Sequence, residues 1–213
     1  MKEYIPHKEP IPYLLVKDYF SEEDVNLMLQ ELQFLTSKEK LAFKPPINMA
    51  EGTKKNNQIG LDEIYSKRET SDILTILNKI YKDEKLINKL CDMSFFYKSW
   101  SVTNKDSTLV AYYEDADYYK SHQDLAVISM MYWLWKEPKS FEGGDIELTD
   151  YDIRVPVQRN QLMIMPSSTK HAVTPVKMLD NKVRFSGNGR YCIFRFLYIH
   201  LLPRDEELSY PSI

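Results

Sequence analysis

The sequence predicts a mainly β fold with flanking helices, a β-sandwich or barrel with its helices packed outside. Three observations lead there. Helical periodicity is confined to about the first 93 residues, strand composition takes over from Ser94, and the 213-residue chain is 43% hydrophobic and 28% charged, enough to bury a core. No repeat, low-complexity tract or Pro/Gly-dense linker interrupts it. The expectation is one domain over 1–213, with helical support over about 1–93 and a β core over about 94–202.

Tyr13 to Val16 reads as a short strand leading into a helix, which Ser21 and Asp24 open with capping-box spacing. Val25, Met28, Leu29, Leu32 and Leu35 then recur at three- and four-residue steps, the mark of a buried helix face. A second helix is predicted over Ser71 to Tyr81, with Ile73, Ile76, Leu77 and Ile80 on one side, and a third over Lys85 to Cys91. Between the first two, Thr36 to Thr70 is polar and contains Pro45, Pro46 and the run Gly52-Thr53-Lys54-Lys55-Asn56-Asn57. It reads as a long irregular loop, either an active-site lid or a floppy excursion. Eight segments of β-branched and aromatic residues follow: Phe95 to Val102, Thr108 to Tyr113, Tyr118 to His122, Ala126 to Trp135, Asp145 to Thr149, Gln161 to Met165, His171 to Val176 and Arg190 to Leu197. Turn signals such as Glu142-Gly143-Gly144 and Ser186-Gly187-Asn188-Gly189 separate them.

A net charge of −3 gives no positive field to hold a phosphate backbone, so no nucleic-acid partner is expected. The longest strongly apolar stretch, Ala126 to Trp135, is too short to span a bilayer as a helix, and Met1 to Pro12 is too charged for a signal peptide. These point away from a membrane and to the cytoplasm. Cys91 and Cys192, each beside an apolar residue, read as buried thiols in a reducing compartment. With four His and six Gly in the chain, few residues can carry chemistry.

His122-Gln123-Asp124 stands where a predicted strand runs out into a turn. Such H-x-acidic triplets arise about 0.6 times by chance in a chain of this composition, so the triplet needs context. His7-Lys8-Glu9 has the same spacing in a charged terminal arm with no strand to hold it, and reads as solvent-exposed. His200 reads as a structural histidine. His171 supplies the context for His122 and Asp124, arriving from a different predicted strand. Two histidines and a carboxylate can cap one face of an octahedral Fe(II), leaving three positions for a chelating co-substrate and O₂. An anionic co-substrate then needs a fixed cation, and Arg190, with its planar fork, opens the last strand. Gly143 and Gly144 read as a structural turn, and Lys54 and Lys55 as loop charges that could steer an anionic substrate.

These residues resemble the Fe(II)- and 2-oxoglutarate-dependent dioxygenases, in particular their small prolyl 4-hydroxylase-like branch of bacterial and phage type. The likeness runs over roughly Tyr112 to Tyr198. It comprises Tyr113, Tyr119 and His122-x-Asp124, the strand Ile128 to Trp135, Glu142-Gly143-Gly144-Asp145, the approach Met165-Pro166-Ser167-Ser168 to His171-x-Val173-x-Pro175-Val176, and Gly189-Arg190-Tyr191. The resemblance implies a double-stranded β-helix (jelly roll) with N-terminal helices on its major sheet. It implies His122, Asp124 and His171 as iron ligands, Arg190 on the far carboxylate of 2-oxoglutarate, and Tyr113 and Tyr132 lining the co-substrate. Arg184 or Arg195 could replace Arg190, Tyr112 could replace Tyr113, and Trp133 could replace Tyr132. The implied cofactors are Fe(II), 2-oxoglutarate and O₂, with ascorbate as an optional reductant. The implied reaction is hydroxylation of an unactivated C–H bond, first of a prolyl residue in a protein or peptide. A free amino acid or other small molecule is the alternative substrate, and a non-oxidative jelly-roll metal-binding module the alternative function.

Overall fold

The computed structural model describes residues 1–36, 52–179 and 190–199. In chain order the strands are β1 (Glu3–His7), β2 (Tyr13–Lys17), β3 (Lys54–Lys55), β4 (Asn57–Gly60), β5 (Lys105–Tyr113), β6 (Tyr118–His122), β7 (Ile128–Leu134), β8 (Phe141–Gly143), β9 (Ile146–Leu148), β10 (Ile153–Val155), β11 (Gln161–Pro166), β12 (His171–Val173), β13 (Val176–Met178) and β14 (Arg190–Tyr198). The helices are α1 (Glu22–Thr36), α2 (Leu61–Ile64), α3 (Asp72–Leu77) and α4 (Glu84–Met93), with 3₁₀ turns at Arg68–Thr70, Asn78–Lys82 and Phe95–Val102.

Seven strands form the major sheet in the order β1-β2-β11-β7-β14-β5-β4, and five form a smaller sheet in the order β10-β9-β12-β6-β3. Strands β13 and β8 make a separate antiparallel pair. The major sheet is buried on both faces. One face packs against α1, α3 and α4 through Leu14, Val16, Met130, Tyr132, Leu162, Ile164 and Ile193. The other meets the smaller sheet through Leu15, Ala111, Met131, Trp133, Met163, Cys192 and Phe194. Successive side chains on a strand point to opposite faces, so parity along each strand decides whether a residue meets the helices or the inter-sheet interior. The fold is the mainly β architecture the sequence predicts.

The helix starts follow from local chemistry. Ser21 Oγ accepts the Asp24 N–H at 3.2 Å, while the Asp24 carboxylate leaves the capping box to pair with Lys79 at 2.6 Å. Ser71 and Asp83 cap α3 and α4 by accepting from Leu74 N and Leu86 N.

Several local expectations are corrected. Phe95–Val102 is 3₁₀ helix, not strand: its buried residues Tyr97 and Trp100 are three apart, which one helical side can satisfy and two-residue alternation cannot. His7 is not adrift in solvent but ends β1, its ring stacked on Tyr13 with centroids 4.2 Å apart. The described part of the long polar segment is ordered as β3, β4 and α2, because sheet edges accept polar strands. The rest of that segment, the turn at Gly187 and Gly189, Arg184 and His200 lie outside the described residues.

Candidate functional site

His122 ends β6 and His171 opens β12, antiparallel neighbours in the smaller sheet that put the two residues opposite each other. Their rings lie 4.2 Å apart between centroids. Asp124 follows in the turn, its N–H donating to the Ser167 carbonyl at 3.0 Å. One ligand atom from each of His122, Asp124 and His171 can be chosen so that all lie within 4.8 Å of one another. The His122 and His171 Nε2 atoms are 3.7 and 3.8 Å from Asp124 carboxylate oxygens.

Hydrogen bonds set the tautomer of each ring. His122 Nδ1 faces the Lys120 carbonyl at 2.9 Å and His171 Nδ1 the Thr169 carbonyl at 3.0 Å. A carbonyl only accepts, so each Nδ1 carries the proton and each Nε2 presents a lone pair. His171 Nε2 is buried with no hydrogen-bond partner among the described residues. Burial, then the neighbouring His171, pushes the His122 imidazole down to about 4, keeping it neutral near pH 7. Ser129 Oγ donates to Asp124 Oδ2 at 2.6 Å and lies 2.8 Å from Ser167 Oγ, orienting the carboxylate. This neutral-imidazole and carboxylate donor set suits Fe(II).

On the facing sheet, Arg190 of β14 stands opposite Tyr113 of β5, with its guanidinium 4.7 Å from the Tyr113 ring centroid. Arg190 is fully buried, yet its Nε and both terminal nitrogens have no hydrogen-bond partner among the described residues. The buried Tyr113 hydroxyl also lacks a hydrogen bond of good geometry, and burial pushes its pKa up, so it remains a proton donor. A buried guanidinium with no hydrogen-bond partner among the described residues, beside a buried phenol, suits the carboxylate of an anionic co-substrate. Gly144, at φ +71°, makes room for it: a Cβ there would meet Arg190 Cδ at 3.1 Å.

Strand parity separates those alternatives that lie in the described residues. Tyr112 turns to the helices, donating to Glu114 at 3.0 Å and packing on Tyr191. Arg195 also turns outward, to Tyr81 and Asn78 at 2.8 and 2.9 Å. Tyr132, expected to line the co-substrate, is corrected: it belongs to the helix-facing cluster, and its hydroxyl donates to Asn160 at 2.7 Å. Trp133, one residue on, faces the interior opposite Cys192.

Sequence reasoning missed Ser129 and the specific duty of Gly144. A lone serine in the apolar run Ile128 to Leu134 was the available signal for the first. Nothing in the sequence linked Gly144 to Arg190. Among the described residues, no helix is long and apolar enough to cross a membrane.

Residues 108–197 match the family model of the 2OG-Fe(II) oxygenase superfamily. No curated protein matches the chain by sequence. Among solved structures, a Pseudomonas putida prolyl-4-hydroxylase aligns with a TM-score of 0.61 at 14% identity, over 90% of this chain and 94% of that one. The viral collagen prolyl hydroxylase of Paramecium Bursaria Chlorella virus-1, in its 2OG complex, aligns with a TM-score of 0.51 at 14% identity, over 87% and 94%. NgTET1, in complex with 5mC DNA, aligns with a TM-score of 0.52 at 13% identity, over 92% and 76%. At these identities the shared feature is the double-stranded β-helix fold.

Proposed function

We propose, from the match of residues 108–197 to the 2OG-Fe(II) oxygenase superfamily, that this chain is a dioxygenase using Fe(II), 2-oxoglutarate and O₂ to hydroxylate a prolyl residue of a peptide or protein. His122 Nε2, an Asp124 oxygen and His171 Nε2 hold the iron. Arg190 takes the far carboxylate of 2-oxoglutarate, with the Tyr113 hydroxyl beside it. Bound there, iron and co-substrate supply oxidative decarboxylation to succinate and CO₂, coupled to insertion of oxygen into a C–H bond. The protein's part is positional. Lys120 and Thr169 carbonyls hold the imidazole tautomers, Ser129 aims the carboxylate, and the paired sheets keep water from Arg190.

The observation that carries this reading is the Arg190 guanidinium, buried without a hydrogen-bond partner among the described residues on the wall facing the His-Asp-His cluster. An uncompensated charge there would cost several kcal/mol, on the order of what an anionic ligand returns. The prolyl substrate is taken by analogy from the two hydroxylases that share the fold. The unpaired Cys91 and Cys192 accord with a reducing, cytoplasmic setting.

The test is succinate formation by anaerobically purified protein given Fe(II), 2-oxoglutarate and then air, with and without proline-containing peptides. Iron-dependent succinate, raised by a peptide and abolished in His122→Ala, is expected. No succinate under any condition, or an unchanged rate in His122→Ala, contradicts the assignment.

A further inference from the structure

Lys54 and Lys55 form β3, the edge strand paired with β6 through Lys54 opposite Tyr119 and Lys55 opposite Tyr118. Their ammonium groups have different surroundings. Lys55 Nζ lies 3.5 Å from the Asp117 carboxylate and donates to the Asp115 carbonyl at 3.2 Å. Lys54 Nζ donates at 2.7 Å to the neutral amide of Gln58 and, among the described residues, has no carboxylate within ion-pair distance. It sits 4.8 Å from the centroid of Tyr119, whose ring is stacked on His122 at 3.5 Å. An aromatic ring therefore lies between a proposed iron ligand and this half-buried cation, which feels the Asp124 carboxylate but makes no ion pair among the described residues.

The same segment joins the two sheets, since β3 pairs with the smaller sheet and β4 with the major one. Gln58 lies opposite Ala111, an inward residue, whereas Asn57 lies opposite the outward Tyr112. Asn56, between the two strands, is 6% exposed; its side chain reaches the Tyr113 hydroxyl, and its Oδ1 has no hydrogen-bond partner among the described residues. Lys54, Asn56 and Gln58 alternate along the chain as a polar strip at this junction of the sheets.

If the proposed function holds, charge balance gives Lys54 a task. Asp124 and the two carboxylates of 2-oxoglutarate offset the Fe(II) ion and Arg190, which leaves the Lys54 ammonium as one positive charge over. In a partly buried site such an excess favours a further anion. We propose that Lys54, with Asn56 beside it, is a specificity subsite for a carboxylate on the substrate. The hydroxylated residue is then a free amino acid such as L-proline or the C-terminal prolyl residue of a peptide, not one inside a chain. This inference rests on the oxygenase reading and replaces its prolyl residue inside a chain with one that carries a free carboxylate.

The test uses full-length protein loaded with Mn(II) and 2-oxoglutarate, which does not turn over, and calorimetric titration with L-proline, Gly-Pro, their carboxamides and acetyl-Gly-Pro-Gly-amide. At least one of the two acids is expected to bind about tenfold or more tightly than its amide, as a charge-assisted contact allows. L-proline against Gly-Pro separates a free amino acid from a peptide end. Lys54→Met is expected to erase the preference, while Lys54→Arg and Lys55→Met retain it. Equal binding of acids and amides, no binding of either acid, preference for the internal prolyl peptide, or a preference surviving in Lys54→Met overturns the subsite. Wild type that binds 2-oxoglutarate without favouring an acid strikes only this inference, and wild type that binds no 2-oxoglutarate overturns the oxygenase reading with it.

Discussion

Arg190 and Arg195 leave the same strand on opposite faces, and both are buried, at 0% and 1% exposure. Arg195 is held by the helical side of the molecule. It pairs with Asp106, donates to Asn78 and Tyr81, and lies over the Tyr81 ring at 4.7 Å. Asp106 is also gripped by Arg68 at 2.6 and 3.0 Å. Burial alone would push the Asp106 carboxyl up, but Arg68 and Arg195 outweigh it and hold it below its usual range. Among the described residues Arg190 has no such network, only the Tyr113 ring. Five residues apart, one guanidinium is paired within the fold and the other is proposed to await a ligand. A buried charge with partners reports structure, and one without them reports function.

The sharpest way to break this contrast is to remove each cation. Arg195→Met removes one of the two cations on Asp106 but leaves Arg68 on it, and should destabilise the metal-free protein by roughly 1.5–3 kcal/mol, whereas Arg190→Met should leave it unchanged or stabilise it. Denaturant unfolding of both variants checks this, and equal losses would dissolve the distinction. Next in size, Ser129→Ala frees the Asp124 carboxylate and should weaken metal binding by about 10- to 100-fold, read by competition with a chelator. Gly144→Ala puts a methyl group against Arg190 at φ +71°, and should lower 2-oxoglutarate affinity by about tenfold with a smaller effect on metal affinity. The smallest effect concerns pH. Folded His122 resists protonation down to about 4, while the unfolded side chain takes a proton near 6.5, so the unfolded state binds more protons in between. The metal-free protein should therefore lose about a few degrees of Tm as pH falls from 7 to 5, and His122→Gln should flatten that slope.

How much of this was legible in the sequence depended on phase. His122, Asp124 and His171 stand at strand ends with distinctive spacing, and the structure brings them together. The choices between Tyr112 and Tyr113, Tyr132 and Trp133, and Arg190 and Arg195 are all choices of strand face. The major sheet is buried on both sides, and β7 is buried at every position, so hydrophobic alternation gives no phase. β14 carries a buried arginine on each face, and only tertiary pairing separates them. The strands β8, β10 and β13 have three residues each, too few for a periodic signal. The polar strip Lys54 to Gln58 looked like loop because edge strands need no apolar face.

The central claim is that Arg190 is buried unpaired because it receives 2-oxoglutarate. Calorimetric titration of 2-oxoglutarate into Mn(II)-loaded wild type and Arg190→Met tests it directly. A single site in the wild type, weakened about 100-fold or more in the variant, is the predicted result, matching the loss of a buried charge-assisted pair. Equal affinity in the two proteins, or no binding to either, would contradict it.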